Sequence, residues 1–381
     1  MKQTPSTPVA RPESRPGETG GGSFRVVIAD PVLASGLAPL VDDPRFEVVE
    51  RLGLKGDELA AALADADAVI VRSASRITRE ALERAEHLRV IGRAGVGVDN
   101  IDVEAATERG IAVLNAPSGN TVSAAELAFA LLLALVRRVP TADRSMKEGH
   151  WDRKSLGGIE LYGKILGLVG AGRIGATVAQ RARAFGMKII AFDPYLTAER
   201  ADSLNIQLET LDGVLEKADI ISLHVPMTNA TRGLIGEAEL QKMKRSALLV
   251  NAARGGVVDE AALYRALTEN WISGAALDVF EKEPPPADHP LRSLPNIVLT
   301  PHLGAATIEA QENVALEIAE AVRAALVEGD LSRAVNAPAI GGEAMQRLRP
   351  LLDLTERLGR LIQAIADGPV SRIDVRYSGS A

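Results

Sequence analysis

Short apolar runs rich in β-branched residues alternate with helix-patterned stretches along almost the whole chain. No other feature of the sequence narrows the fold as much. The first such runs are residues 24–29 (FRVVIA), 46–49, 68–71, 89–91 and 111–114, with helical stretches such as 56–64 and 78–85 between them. Runs that are apolar throughout are buried on both faces, so they predict a parallel sheet covered by helices on each side. After Asn115 the pattern pauses for a long helix over 122–139 and an irregular, glycine-containing segment to Leu161. It resumes with runs at 165–169, 188–192, 220–223, 247–250, 274–277 and 297–299. Two consecutive α/β units follow, with the long helix at their junction and no short internal repeat.

The second block opens on Gly170-Ala171-Gly172-Arg173-Ile174-Gly175, which follows the strand KILGLVG and leads into an alanine-rich helix. A bare GxGxxG is a weak pattern, but the strand before it and the helix after it are what a dinucleotide fingerprint requires. Gly170 permits the tight turn, Gly172 lets the backbone approach a pyrophosphate, and Gly175 lets helix and strand pack closely. The N–H groups at the helix start favour an anion. Asp193 ends the next run (KIIAFDP). A carboxylate there accepts hydrogen bonds from ribose hydroxyls and repels a 2′-phosphate, which selects NAD over NADP.

Three later runs lead into charged residues. Run 247–250 leads to Asn251-Ala252-Ala253-Arg254, run 274–277 to Asp278 and Glu283, and run 297–299 to Thr300-Pro301-His302. In open α/β sheets ligands bind beyond the carboxyl ends of the strands. An arginine, a glutamate and a histidine are therefore expected to converge beside the dinucleotide. A guanidinium can clamp a carboxylate with two hydrogen bonds. An imidazole can exchange a hydroxyl proton, and a carboxylate on its far nitrogen fixes the tautomer. Arg254, Glu283 and His302 thus form a set suited to oxidising a 2-hydroxy acid.

Composition removes other function classes. The 381 residues include no cysteine, which excludes disulfides, thiolate metal sites and cysteine nucleophiles. With 43 Lys and Arg against 50 Asp and Glu, scattered among one another, the chain is not expected to bind nucleic acid. No histidine or carboxylate cluster has metal-ligand spacing, so no metal is expected. The longest uncharged apolar run, 127–136, is too short for the roughly 20 residues that span a bilayer. Residues 1–23 are rich in Pro, Gly, Ser and Thr and lack an apolar signal core, so they read as a disordered tail of a cytoplasmic protein. His87 reads as solvent-facing, His150 and His289 as parts of polar or proline-rich connections, and His224 as packing beside the cleft.

Several stretches together resemble the D-isomer-specific 2-hydroxyacid dehydrogenases. They are VRSASRIT (71–78), GRAGVGVDNID (92–102), NAPSGNT (115–121), SAAELAFALLLALVRR (123–138), GAGRIG (170–175), NAARGGVVDE (251–260), AALDVFEKEPP (275–285) and TPHLGA (300–305). The resemblance implies that Arg254 clamps the substrate, that His302 is the acid/base group and that Glu283 pairs with it. It places NAD contacts at Val96, Arg173, Ile174, Asp193, Val225, Ala252, Ala253, Arg254, Asp278, His302 and Gly304, with Asp278 bonding the nicotinamide amide. It also implies that Arg72 and Arg93 bind anionic groups of the substrate and that the N–H groups of Gly95, Val96 and Gly97 hold its carboxylate. The substrate so implied is a small phosphorylated 2-hydroxy acid, a phosphorylated glycerate. A glyoxylate or hydroxypyruvate reductase is the alternative, and an NAD-binding corepressor is a third reading from another class.

The implied fold is α/β, with two doubly wound parallel-sheet lobes. A Rossmann NAD-binding lobe (119–304) is inserted into a flavodoxin-like substrate-binding lobe (24–118 and 305–335), with hinges near Pro117 and Leu303. Part of the long helix and the arm 140–161 are expected to form a homodimer or tetramer through the NAD-binding domains. For Arg137 and Arg138, a solvated charge and a reach toward the partner's cleft both stay open. Residues 336–381 read as a helix over 348–365 and a strand over 372–377. They resemble the opening of an intervening domain that precedes a serine-binding regulatory domain in longer relatives, so no inhibition by serine is expected.

Overall fold

The computed structural model describes residues 23–338, 342–366 and 374–376. The expected tail, apart from Ser23, and half of the expected strand 372–377 lie outside those residues. Two compact units emerge, one comprising the chain to Ala116 together with the part from Val314 onward, the other Pro117–Asn313. The breaks fall at 116/117 and 313/314, against 118/119 and 304/305 in the sequence reading. The second lies within the helix Ile308–Glu328.

The first unit is built on β1 (Phe24–Ile28), β2 (Phe46–Glu50), β3 (Ala68–Val71), β4 (Val90–Arg93) and β5 (Ala112–Asn115). They pair in parallel in the order β2-β1-β3-β4-β5. Helices Gly56–Leu63, Arg79–Glu83 and Val103–Glu108 cover one face, where Leu59, Leu63, Leu82 and Ala105 pack on Val27, Val69, Ile91 and Val113. Thr78 and Asp102 start the last two of these helices by accepting the N–H of Ala81 and Ala105. On the other face Val314, Ile318 and Val322 of helix Ile308–Glu328 recur every fourth residue and bury against Val26, Ile28 and Ile70. Gly92 makes room for them, because a Cβ there would lie 2.8 Å from Val322 Cγ2.

In the second unit, β6 (Ile165–Val169), β7 (Lys188–Phe192), β8 (Gln207–Leu208), β9 (Ile220–Leu223), β10 (Leu248–Asn251), β11 (Gly274–Leu277) and β12 (Ile297–Leu299) form a seven-stranded sheet. Its order is β12-β11-β10-β9-β6-β7-β8, again parallel throughout. Helices Thr121–Val136 and Arg173–Ala184 cover one face through Ala125, Ala128, Leu132, Val178 and Ala182. Helices Leu211–Lys217, Glu237–Lys242 and Glu260–Thr268 cover the other. Strand order reverses between β1 and β3 in one sheet and between β6 and β9 in the other. These are the crevices where such sheets take ligands.

Several details differ from the sequence reading. The long helix stops at Val136, and a separate helix, Val139–Lys147, occupies part of the expected irregular arm. Arg138 between them has a left-handed φ of 52°. Pro140 lacks an N–H to continue the first helix but suits the first turn of the second. Arg93 is the last residue of β4 and not the first of a loop. The two-residue β8, exposed at the sheet edge, carries no apolar run to announce it. Helix Gly342–Ile365 begins earlier than expected. Among the described residues, no helix is long and apolar enough to cross a membrane.

Candidate active site

Within the second unit, the turn after β6 gives each glycine of GAGRIG a different geometric reason. Gly170 has φ 91°, and a Cβ there would lie 2.7 Å from the carbonyl oxygen of His224. A Cβ on Gly175 would overlap the Gly170 carbonyl. At Gly172 a Cβ would meet no protein atom within 4 Å, so the backbone there borders open space. Arg173 and Ile174 begin the following helix, whose first N–H groups have no acceptor one turn back. An anionic pyrophosphate fits that open space. Asp193 follows β7 and is tied to the same turn. Its Oδ2 accepts the Ala171 N–H at 2.8 Å and its Oδ1 that of Tyr195 at 2.9 Å. Val225 follows β9 and lines the turn beside Gly170. These residues fit a dinucleotide whose ribose meets Asp193.

The arginine, glutamate and histidine come from the ends of β10, β11 and β12. Buried Asn251 folds the turn after β10, accepting the Ala253 N–H at 3.1 Å and donating to the Arg254 carbonyl at 3.0 Å. Ala252 and Ala253 form that turn, and Arg254 Nη1 donates to the Ala253 carbonyl at 2.7 Å. His302 Nδ1 lies 2.6 Å from Glu283 Oε2. Glu283 Oε1 accepts the Phe280 N–H at 3.0 Å. Burial opposes ionisation of Glu283, but the His302 hydrogen bond, the Phe280 N–H and the charges of His302 and Arg254 outweigh it. The carboxyl is held below its ordinary range. The histidine side chain is 48% exposed.

Asp278 is fully buried. Its Oδ1 accepts from Thr300 Oγ1 at 2.6 Å and the Leu303 N–H at 2.8 Å, and its Oδ2 from the Gly304 N–H at 3.0 Å. Its carbonyl accepts the His302 N–H at 2.8 Å. Burial raises its pKa, against the opposing effect of these donors and of His302. Here Asp278 shapes the turn that presents His302, which has a left-handed φ of 55°.

In the first unit, Arg72 follows β3, Arg93 ends β4, and Gly95, Val96 and Gly97 form the next turn. Asn115 Nδ2 donates to the Val96 carbonyl at 2.7 Å, and the Arg93 guanidinium lies against Gly95, where a Cβ would overlap it. Sequence reasoning did not find what organises Arg72. Asp30, buried just after β1, accepts the N–H groups of Arg72, Ala74 and Ser75 at 2.6, 3.2 and 3.1 Å, and the Ser75 hydroxyl at 2.6 Å. Asn100 donates to the carbonyls of Arg72 and Ser75, each at 2.7 Å. The available signal was a carboxylate at the carboxyl end of a buried parallel strand. The N–H groups of Arg72, Ala74 and Ser75 are thus engaged, and Arg72 Nη1 donates to the Pro31 carbonyl at 3.2 Å.

Comparison with known proteins agrees with this geometry. The family described as D-isomer specific 2-hydroxyacid dehydrogenase, NAD binding domain, matches residues 129–304. A D-3-phosphoglycerate dehydrogenase of Methanocaldococcus jannaschii is 48% identical over 357 residues, covering 93% of this chain and 67% of that one. The chain thus spans about two thirds of that relative's length. A solved structure from Thermus thermophilus superposes with a TM-score of 0.74 at 39% identity, covering 82% of this chain and all of that one. The D-lactate dehydrogenase of Aquifex aeolicus, crystallised with NAD and lactic acid, gives 0.72 at 30% identity, covering 82% of this chain and 99% of that one. The chain belongs to the D-isomer-specific 2-hydroxyacid dehydrogenases, and the stretch that matches their NAD-binding domain, 129–304, lies within the second unit.

Proposed function

We propose that the chain oxidises D-3-phosphoglycerate to 3-phosphohydroxypyruvate, with Arg254, Glu283 and His302 as the catalytic set. The observation that carries the reading is the 2.6 Å His302–Glu283 pair at the carboxyl edge of the NAD-binding sheet, with the Arg254 charge acting on the same carboxylate. Relatives named for this reaction, at 43–48% identity, support the choice of substrate. When bound, NAD supplies the hydride acceptor.

The protein residues do the rest. Arg254 holds the carboxylate of the substrate, which fixes the reacting carbon. His302 Nε2 takes the hydroxyl proton as the carbonyl forms. Glu283 holds Nδ1, keeps the ring in the tautomer that leaves Nε2 unprotonated, and offsets the charge the ring acquires. Asp193 accepts from the cofactor ribose and excludes a 2′-phosphate. In the first unit Arg72 and Arg93 supply the positive charge that a phosphorylated substrate needs. A cytoplasmic homodimer is part of the same reading. Trp151 and Tyr162, 77% and 79% exposed, are apolar surface of the kind a second copy would cover, and sedimentation tests this.

The test follows NADH absorbance with a panel of 2-hydroxy acids, with and without a phosphate. D-3-phosphoglycerate is expected to give the highest kcat/KM. A far higher value for an unphosphorylated acid overturns the substrate assignment. His302→Ala is expected to lower kcat by about 10²–10⁴-fold while NADH still binds.

A further inference from the structure

A second carboxylate–imidazole pair lies behind the first. Glu260 opens helix Glu260–Thr268, and its Oε2 is 2.9 Å from His289 Nε2. Both side chains are largely buried, 13% and 14% exposed. Glu260 Oε1 accepts the Glu281 N–H at 2.7 Å, and the Glu281 carboxylate accepts the Glu260 N–H at 3.3 Å. The His289 ring stands edge-on to Phe280, with centroids 6.2 Å apart at 73°. The Phe280 N–H donates to Glu283, and the Phe280 carbonyl packs so closely on Gly255, next to Arg254, that a Cβ there would overlap it.

The connection carrying Glu283 is therefore gripped on one side by the turn that carries Arg254 and on the other by Glu260 and His289. His289 Nδ1 is buried and has no hydrogen-bond partner among the described residues. The hydrogen bond to Glu260 and the ring contact with Phe280 make His289 an anchor for this connection.

We infer that Glu260 and His289 are positioning residues that hold Glu283 at hydrogen-bonding distance from His302 during the reaction. This inference rests on the proposed function of that site. Arg254 and Asp278 act on the His302–Glu283 pair, and Glu281 bonds the second pair. All except the residue replaced are kept in the variants below.

The experiment compares His289→Phe, which keeps an aromatic ring against Phe280 but loses the donor, with His289→Gln, which keeps an N–H. Activity is expressed per NADH-binding site, titrated by fluorescence, so that loss of folded protein does not enter. His289→Phe is expected to lower kcat about tenfold with KM for NAD within about twofold. It is also expected to move the acid midpoint of the kcat/KM–pH profile measurably, because the His302–Glu283 contact is loosened. His289→Gln is expected to restore most of both. Glu260→Gln, which keeps an acceptor for the Glu281 N–H, gives the same test if His289→Phe does not accumulate.

A per-site kcat and pH midpoint equal to wild type in these variants overturns the inference. An inactive His302→Ala beside an unaltered His289→Phe overturns it alone. A His302→Ala enzyme with wild-type turnover overturns both the proposed site and this inference.

Discussion

His302 occupies a backbone conformation that disfavours L-residues by roughly 1–2 kcal/mol. It stays there because Asp278 binds residues 302–304 through its carbonyl and both carboxylate oxygens. Asp278→Ala is expected to lower kcat at least about tenfold, because the imidazole loses its fixed direction. Asp30 does comparable work below Arg72. Asp30→Ala leaves three N–H groups without their acceptor and the Ser75 hydroxyl with the Ala29 carbonyl at 3.4 Å, and a loss of roughly 2–4 kcal/mol in denaturant-unfolding stability is expected. Asp193→Ala should weaken NAD binding about tenfold or more and reduce the discrimination against NADP, read by isothermal titration with each dinucleotide. Glu283, whose pKa is lowered, stays ionised below the ordinary glutamate range. Its contribution to folding is present above that range and fades only as pH falls through its lower folded value.

At the scale of elements, the strands were legible because a strand buried on both faces is apolar at every position or nearly so, as β3 and β9 are. The exposed two-residue β8 offered no such run. The break at Arg138 was hidden because arginine suits a helix interior as well as a helix end, and only Pro140 marks the change. The glycine turn and the His302–Glu283 pair were readable since their residue types and positions at strand ends carry the chemistry. Asp30, Asn100 and the Glu260–His289 pair were not. Their partners lie 25 to 45 residues away, and nothing local in the sequence marks a carboxylate as the anchor of a distant turn. The caps are local and can be tested singly. Asp102→Ala, which removes an acceptor 2.8 Å from the Ala105 N–H, is expected to cost about 1 kcal/mol in thermal unfolding.

Across the whole molecule, partly buried His224 sets a pH dependence. Burial pushes its pKa down to about 4, so it folds uncharged with its Nε2 2.9 Å from Ser222 Oγ. The unfolded chain takes up that proton near the ordinary 6.5. Between those values the unfolded state binds more protons, so stability is full above about 6.5 and is lost as pH falls toward 4. Melting temperatures at about pH 7.5 and about pH 5 should therefore differ less in His224→Gln than in wild type.

Both sheets are parallel throughout, and this bears on how the chain reaches its native state. No hairpin is available to start either sheet, and β6 meets β9 only after the intervening β7, β8 and their helices have been threaded past. Loop closure over such distances slows assembly and leaves sticky strand edges uncovered for longer. Recovery of activity after dilution from denaturant should therefore be slow and should fall in yield as protein concentration rises, so a nascent copy of this enzyme depends on being kept apart from its neighbours.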